Sequence, residues 1–161
     1  MSNPYTGTVA SALRKAELLL AAGGDTALQR AAQQEAAVLQ LWRAYRAFLA
    51  ELAYLLQLGQ GVEPESPQAL DERARSQGKY CAAAVEMCEL DRGDGWLAQL
   101  QSAWVALWRF AGESPRGGSA AQLIPLQDLS VAAELSDSQL REWHRALVEL
   151  VQRHRAQAQE F

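Results

Sequence analysis

The chain has 161 residues and a formal net charge of -4, and 49% of its residues are hydrophobic. This length can bury one substantial core without disulfides or metals, so we expect a single helical domain over residues 1–161. The acidic balance excludes the basic surface that is typical of nucleic-acid-binding proteins. Alanine supplies much of the hydrophobic fraction and Ile124 is the only isoleucine, a composition that favours helices over sheets.

The first predicted helix begins close to residue 1, where Asn3 is a suitable N-cap and Pro4 would occupy the first helical position. The glycine pair at 23–24 ends this helix, and Asp25 is the expected N-cap of the next one. Because the connection is short, the first two helices are predicted to be antiparallel neighbours.

The second predicted helix, over 25–58, is the longest and organises the rest of the chain. Its second half is apolar around much of its circumference, so other helices must surround it. The region 39–58 nevertheless contains Arg43, Arg46 and Glu51, and we therefore predict no membrane span. The apolar stripe recurs every three or four residues and includes Leu28, Ala31, Val38, Trp42, Tyr45, Leu49, Leu52 and Leu56.

A third helix is predicted from Ser66 and Pro67, which form a cap followed by a proline, to about residue 91, with Gly78 as a soft point. Cys81 and Cys88 would then lie about 10 Å apart along one helix, too far for a disulfide. Two unbridged thiols fit a reducing compartment, so we expect a cytoplasmic protein with buried, unreactive cysteines.

A fourth helix is predicted over about 95–111, followed by one long loop over 112–135 that lacks clear periodicity. The last helix begins with a capping box formed by Ser136 and Gln139. Together these elements predict an all-α, single-domain, mostly up-and-down bundle of about five helices with one long loop before the last helix.

The histidines, His144 and His154, are the only side chains that ordinarily titrate near neutral pH. Neither has a carboxylate or a second histidine three or four residues away, so the sequence predicts no intrahelical metal site. Glu35 is the one charged residue on the apolar stripe of the second helix. We predict no catalytic residue, metal or cofactor, and an enzyme that uses His144 or His154 with Glu35 is the least favoured hypothesis.

Tryptophans provide the other feature on which a function could depend. Trp104 and Trp108 share one face of the fourth predicted helix, and Trp143 lies on the buried face of the last. With Met87 they could form the walls of a small apolar ligand site between these two helices. Aromatic residues at helical spacing are more often part of the core, so this site is the alternative hypothesis.

Several short stretches resemble an uncharacterised proteobacterial family of small all-helical proteins. They are Gly-Trp-Leu-Ala-Gln-Leu at 95–100, Arg-Glu-Trp-His at 141–144, Gln-Glu-Ala-Ala-Val-Leu at 34–39, and Tyr5 with Thr6. The resemblance covers nearly the whole chain and implies a single helical domain. It implies no activity for any residue.

The favoured functional hypothesis is a non-enzymatic interaction protein that forms a homodimer or binds another protein. It depends on the lack of a polar catalytic constellation and on an organising helix whose apolar arc exceeds what its neighbours would cover. The alternative is a bundle that binds a small apolar ligand at Trp104, Trp108, Trp143 and Met87. Neither hypothesis includes a nucleic-acid or membrane partner.

Overall fold

The computed structural model describes residues 2–109 and 135–159, and these residues form six helices and no strand. The all-α prediction is therefore confirmed, while most of the predicted loop over 112–135 lies outside the described residues. Within the described ranges no helix is both long and apolar enough to cross a bilayer. The helices are α1 Thr6–Ala22, α2 Ala27–Leu55, α3 Pro67–Ser76, α4 Ala82–Arg92, α5 Trp96–Leu107 and α6 Asp137–Gln159.

Helix α2 lies at the centre of the bundle, as its apolar stripe predicts. It packs against α1, α3, α5 and α6, and residues of all six helices contribute to one hydrophobic core. Val38, Leu41, Phe48 and Leu49 on α2 have no exposed surface. Trp42 and Leu56 are only partly buried, and Leu28 at the start of the stripe is exposed, so the stripe is not covered along its whole length.

Helices α2 and α6 run in the same direction, because contacts pair their N-terminal and C-terminal portions separately. The amide of Gln34 donates to Asp137 Oδ1 at 2.8 Å near the N-termini. The guanidinium of Arg155 donates to Glu51 near the C-termini. Three helices lie between α2 and α6 in the described chain. This parallel pair is compatible with a bundle in which consecutive helices alternate in direction, as α1 and α2 do in their antiparallel hairpin.

The starts of the first two helices differ from the predicted caps by one to a few residues. Helix α1 begins at Thr6 rather than beside Asn3, whose Oδ1 instead accepts from the Tyr5 N–H at 3.0 Å. The N-cap of α2 is Thr26 and not Asp25. Thr26 is favoured because Gln29 stands three residues later and completes a capping box, with hydrogen bonds of 3.0 and 3.1 Å.

The single third helix predicted to run to about residue 91 is wrong, because the chain forms two helices, α3 and α4, with a turn between them. Gly78 adopts φ +68° after the end of α3, and the Lys79 N–H donates to Ala74 O while the Gly78 N–H donates to Arg75 O. These bonds form a Schellman motif, which ends a helix. Gly78 is therefore a stop signal, and Cys81 becomes the N-cap of α4.

The turn after α3 also fastens the end of α2. Lys79 Nζ donates to Leu56 O at 2.7 Å and to Gln57 O at 3.1 Å, so a cation meets the carbonyl end of the central helix. Arg73 Nε donates to Leu58 O at 3.2 Å. The short helix α3 is thereby positioned by polar contacts to the C-terminus of α2 as well as by its buried Leu70.

The predicted start of the last helix is confirmed in part. The Gln139 N–H donates to Ser136 Oγ at 3.2 Å, which is one half of a capping box. The Gln139 side chain does not return to Ser136 and instead donates to Gln99 Oε1 of α5 at 3.2 Å. Helix α5 ends at Leu107, four residues before the predicted end at 111.

Candidate functional site

Four aromatic side chains form a continuous series between the core and the surface. Tyr45 and Trp42 lie one turn apart on α2 with ring centroids 5.0 Å apart. Trp42 stacks on Trp104 of α5 at 5.5 Å and an interplanar angle of 12°. Trp108 meets Trp104 edge-on at 5.3 Å and 71°. We call these four residues the aromatic ladder. Its offset-stacked and edge-on contacts are arrangements that aromatic pairs prefer.

The two ends of the aromatic ladder have opposite environments. Tyr45 is buried at 3% exposure, and burial, with a smaller effect of Asp91, raises the pKa of its phenol above the ordinary value. Trp108 is 56% exposed at the C-cap of α5. The ladder therefore supports a large apolar ring at the surface on two partly buried indoles and one buried phenol. Exposed and pre-positioned aromatic side chains are typical anchors of protein interfaces.

The four residues of the predicted ligand site lie in different surroundings. Trp104 and Trp108 belong to the aromatic ladder, and Met87 on α4 is fully buried. Trp143 is 2% exposed and its indole Nε1 donates to Gln99 Oε1 at 3.3 Å. The structure thus brings Trp104 and Trp108 together, and of the four predicted residues only Trp143 lines the cleft between α5 and α6.

The cleft between α5 and α6 is an open depression of about 540 Å³. Gln99 organises its polar side, because its Oε1 accepts from Trp143 and Gln139 while its Nε2 donates to Asp94 O at 2.9 Å. Arg109 adds a cation to the lining. The remaining lining residues are small or apolar and include Ala98, Ala103, Ala106 and Leu135.

The two histidines contact groups other than Glu35. His144 is partly buried and its Nε2 donates to the backbone oxygen of Leu13 at 3.1 Å. His154 is buried and its Nε2 donates to Glu86 Oε2 at 2.8 Å. In residues 2–109 and 135–159, none of the ion pairs includes Glu35, which is partly buried on α2. The same ranges contain no group of three or more side chains arranged to hold a metal.

Two carboxylates anchor the C-terminal part of α6. Glu51 is 3% exposed and accepts two hydrogen bonds from Arg155, at 2.8 Å from Nε and 2.7 Å from Nη2. Glu86 accepts from both Arg153 and His154. Sequence reasoning missed both pairs, because their members are 104 and 67 residues apart and no local spacing connects them.

The cysteines are buried and unbridged. Burial raises the pKa of the Cys81 thiol, against the opposing effect of backbone hydrogen bonds from Ala84 and Ala83. Burial likewise raises the pKa of Cys88, and Asp71 adds to the shift. Since the thiolate is the nucleophile, both cysteines are poorly suited to covalent chemistry near neutral pH.

These features define a helical bundle with an aromatic surface anchor, structural ion pairs and an open cleft between α5 and α6. A family model, DUF6586, described as a family of unknown function, matches residues 4–161, and the chain belongs to this family. No curated protein and no solved structure shows significant similarity to the chain.

Proposed function

We propose that this protein is a non-enzymatic interaction protein that self-associates through the exposed end of the aromatic ladder. The observation that carries the proposal is the position of Trp108, which is 56% exposed although Trp104 and Trp42 hold it in place. Single exposed apolar residues are common on monomers. Trp108 differs from them because a ring contact with Trp104 already fixes its position.

Apolar side chains one turn from members of the aromatic ladder are also exposed. Val105, one turn earlier on α5, is 43% exposed, and Leu39, one turn before Trp42 on α2, is also exposed. Arg109 adjoins Trp108 and would contribute to a polar rim. In a twofold dimer the same patch serves both subunits, so this one surface is sufficient for self-association.

The energetics of such a contact favour Trp108 as its centre. An indole buries roughly 150–250 Å² on complete burial, and hot-spot tryptophans cost about 2–4 kcal/mol when truncated. The edge-on contact with Trp104 already restricts the ring. Little side-chain entropy would then be lost on association, which lowers the free-energy cost of binding.

The surroundings of the titratable groups support a non-enzymatic role. His154 is engaged by Glu86 and His144 by the Leu13 carbonyl. Burial raises the pKa of both Cys81 and Cys88. A general base must reach its substrate and a nucleophilic thiol must ionise. The Nε2 atoms of both histidines are already hydrogen-bonded within the protein, and burial opposes the ionisation of both thiols.

Sedimentation equilibrium of the full chain over a concentration series tests self-association. The wild-type protein is expected to form a dimer, and Trp108→Ala is expected to remain monomeric. Leu28→Ala is the matched control, because Leu28 is 69% exposed on α2 but lies outside the ladder. A wild-type monomer at all concentrations, or a Trp108→Ala protein that dimerises like wild type, would contradict the proposal.

A second candidate function is the binding of a small apolar or amphipathic ligand in the cleft between α5 and α6. The cleft volume of about 540 Å³ is in the range of small-molecule sites, and Trp143 forms part of its wall. Titration with fatty acids should then change the tryptophan fluorescence of wild type. Ala106→Leu, which narrows the cleft without adding a fluorophore, should reduce the change, and an unchanged spectrum of wild type would count against this candidate.

The setting that we propose is the cytoplasm of a proteobacterium. Cys81 and Cys88 are both unbridged, which fits a reducing compartment. The bacterial origin depends on the resemblance of the stretches at 95–100 and 141–144.

A further inference from the structure

A small pocket lies between α1 and α2, on the face of the hairpin formed by these two antiparallel helices. Its volume is about 150 Å³. Thr8, Ser11 and Lys15 line it from α1 at spacings of three and four residues, which place them on one helix face. Gln40 and Arg43 line it from α2, also one turn apart. The pocket therefore gathers two cations, two hydroxyls and an amide, and none of its lining residues is acidic.

The two cations of this pocket differ from the other basic side chains nearby. In the described part of the chain, neither Lys15 nor Arg43 belongs to an ion pair. Arg14, the neighbour of Lys15, is paired with Glu17 on the same helix. Two positive side chains beside one concavity attract an anion, and lysine and arginine are the usual ligands of oxyanions such as phosphate.

Gln40 supplies an independent observation about what the pocket would accept. Its Oε1 atom is buried and has no hydrogen-bond partner within residues 2–109 and 135–159. An amide oxygen only accepts hydrogen bonds, so a ligand that satisfies it must present a hydrogen. Buried polar atoms without a partner are uncommon and call for such a ligand or a bound water.

The size of the pocket limits the ligand. Its volume of about 150 Å³ matches a small ligand. A tetrahedral oxyanion with five heavy atoms fits this space.

We infer that the pocket binds inorganic phosphate, an oxyanion that still carries a hydrogen near neutral pH. Lys15 and Arg43 neutralise the anionic oxygens, and Thr8 and Ser11 donate hydroxyl hydrogen bonds. Gln40 Oε1 is buried, so the amide of this lining side chain rotates toward the pocket and then accepts from the remaining P–OH group. Sulfate has the same shape but no hydrogen at this pH. A phosphate monoester loses its last acidic hydrogen with a pKa of about 6, so it too lacks the donor at pH 8. The geometry thus predicts a preference for phosphate over both.

Isothermal titration calorimetry of the full chain at pH 8 tests this site, with inorganic phosphate, sulfate and methyl phosphate at matched ionic strength. Saturable binding is expected for phosphate, and weaker binding for the other two. Lys15→Gln and Arg43→Gln should each weaken phosphate binding about 10-fold or more, since hydrogen bonds to charged groups are the strong ones. Arg14→Gln removes an adjacent cation that is outside the pocket and should bind phosphate like wild type.

Gln40→Leu tests the role of the amide oxygen. This variant should lose the preference for phosphate over sulfate, while Lys15→Gln should weaken both anions together. Circular dichroism confirms that each variant is folded before titration. The proposal is overturned if wild type shows no saturable phosphate binding, if Arg14→Gln weakens binding as much as Arg43→Gln, or if sulfate and the monoester bind wild type as well as phosphate does.

Discussion

Two regions of the molecule differ in how they surround their most demanding side chain. One is the set of ion pairs that anchor α6, and the other is the aromatic ladder on α2 and α5. Glu51 is a charged group within the core, and Arg155 satisfies both of its carboxylate oxygens. Trp108 is a large apolar group at the surface, and the protein leaves more than half of it in water. The Glu51 carboxylate inside the core is fully partnered, whereas the Trp108 indole at the surface is not covered. The contrast separates residues that maintain the fold from residues available for recognition.

The largest effect is expected from breaking the buried ion pair. Arg155→Ala leaves the Glu51 carboxylate, 3% exposed, without its cation, and this type of loss destabilises by about 3–5 kcal/mol. Urea unfolding measures the change in free energy. Arg153→Ala is the matched control on the same helix, because the Arg153 and Glu86 side chains are 50% and 35% exposed and such pairs contribute about 1 kcal/mol or less. Equal losses in the two variants would contradict a distinct role for Glu51.

Truncating the middle of the aromatic ladder should have the next largest effect. Trp42→Ala removes the ring between Tyr45 and Trp104. Full core positions lose about 3–5 kcal/mol in such substitutions, and the partial exposure of Trp42 places the expected loss near the lower end, at about 3 kcal/mol. Chemical denaturation of wild type and Trp42→Ala measures this loss of unfolding free energy. A near-neutral effect would show that the ladder is not part of the packed core.

These contrasts also mark what the sequence could predict. The apolar period of α2 predicted its central position because helix periodicity is local. The sequence predicts Gly78 as a soft point within one helix, yet the Schellman bonds from Gly78 to Arg75 and from Lys79 to Ala74 end α3 there. The contact between Trp42 and Trp104 connects residues 62 positions apart by number, and the Glu51–Arg155 pair is separated by 104. Such contacts depend on how the helices pack, which one sequence does not specify.

Alkaline pH should destabilise the protein through the buried end of the ladder. Burial raises the pKa of Tyr45 above its ordinary value of 10.0. Above about pH 10 the unfolded chain releases a proton that the folded chain retains, so the free energy of unfolding falls as pH rises. One group contributes at most about 1.4 kcal/mol per pH unit. Urea midpoints at pH 8 and pH 10.5 measure the fall.

Tyr45→Phe removes the titrating phenol from the same position. Its loss of stability between these two pH values should be smaller than that of wild type. Cys81 and Cys88, whose pKa values burial also raises, begin to contribute in the same direction from about pH 9 and remain in both proteins. Identical pH profiles for wild type and Tyr45→Phe would show that the phenol ionises as freely in the folded state as in the unfolded state.

The smallest effect concerns the outer contact of the ladder. A double-mutant cycle with Trp104→Ala, Trp108→Ala and the double variant should give a coupling energy of about 0.5–1.5 kcal/mol in unfolding, the range of edge-on aromatic pairs. Unfolding is measured at low protein concentration, where association does not contribute. Trp108→Ala alone should cost less than Trp42→Ala, because its ring is 56% exposed before truncation. If the coupling is near zero while Trp108→Ala still prevents dimer formation, then Trp108 binds its partner without support from Trp104, and the stacked rings behind it serve the core alone.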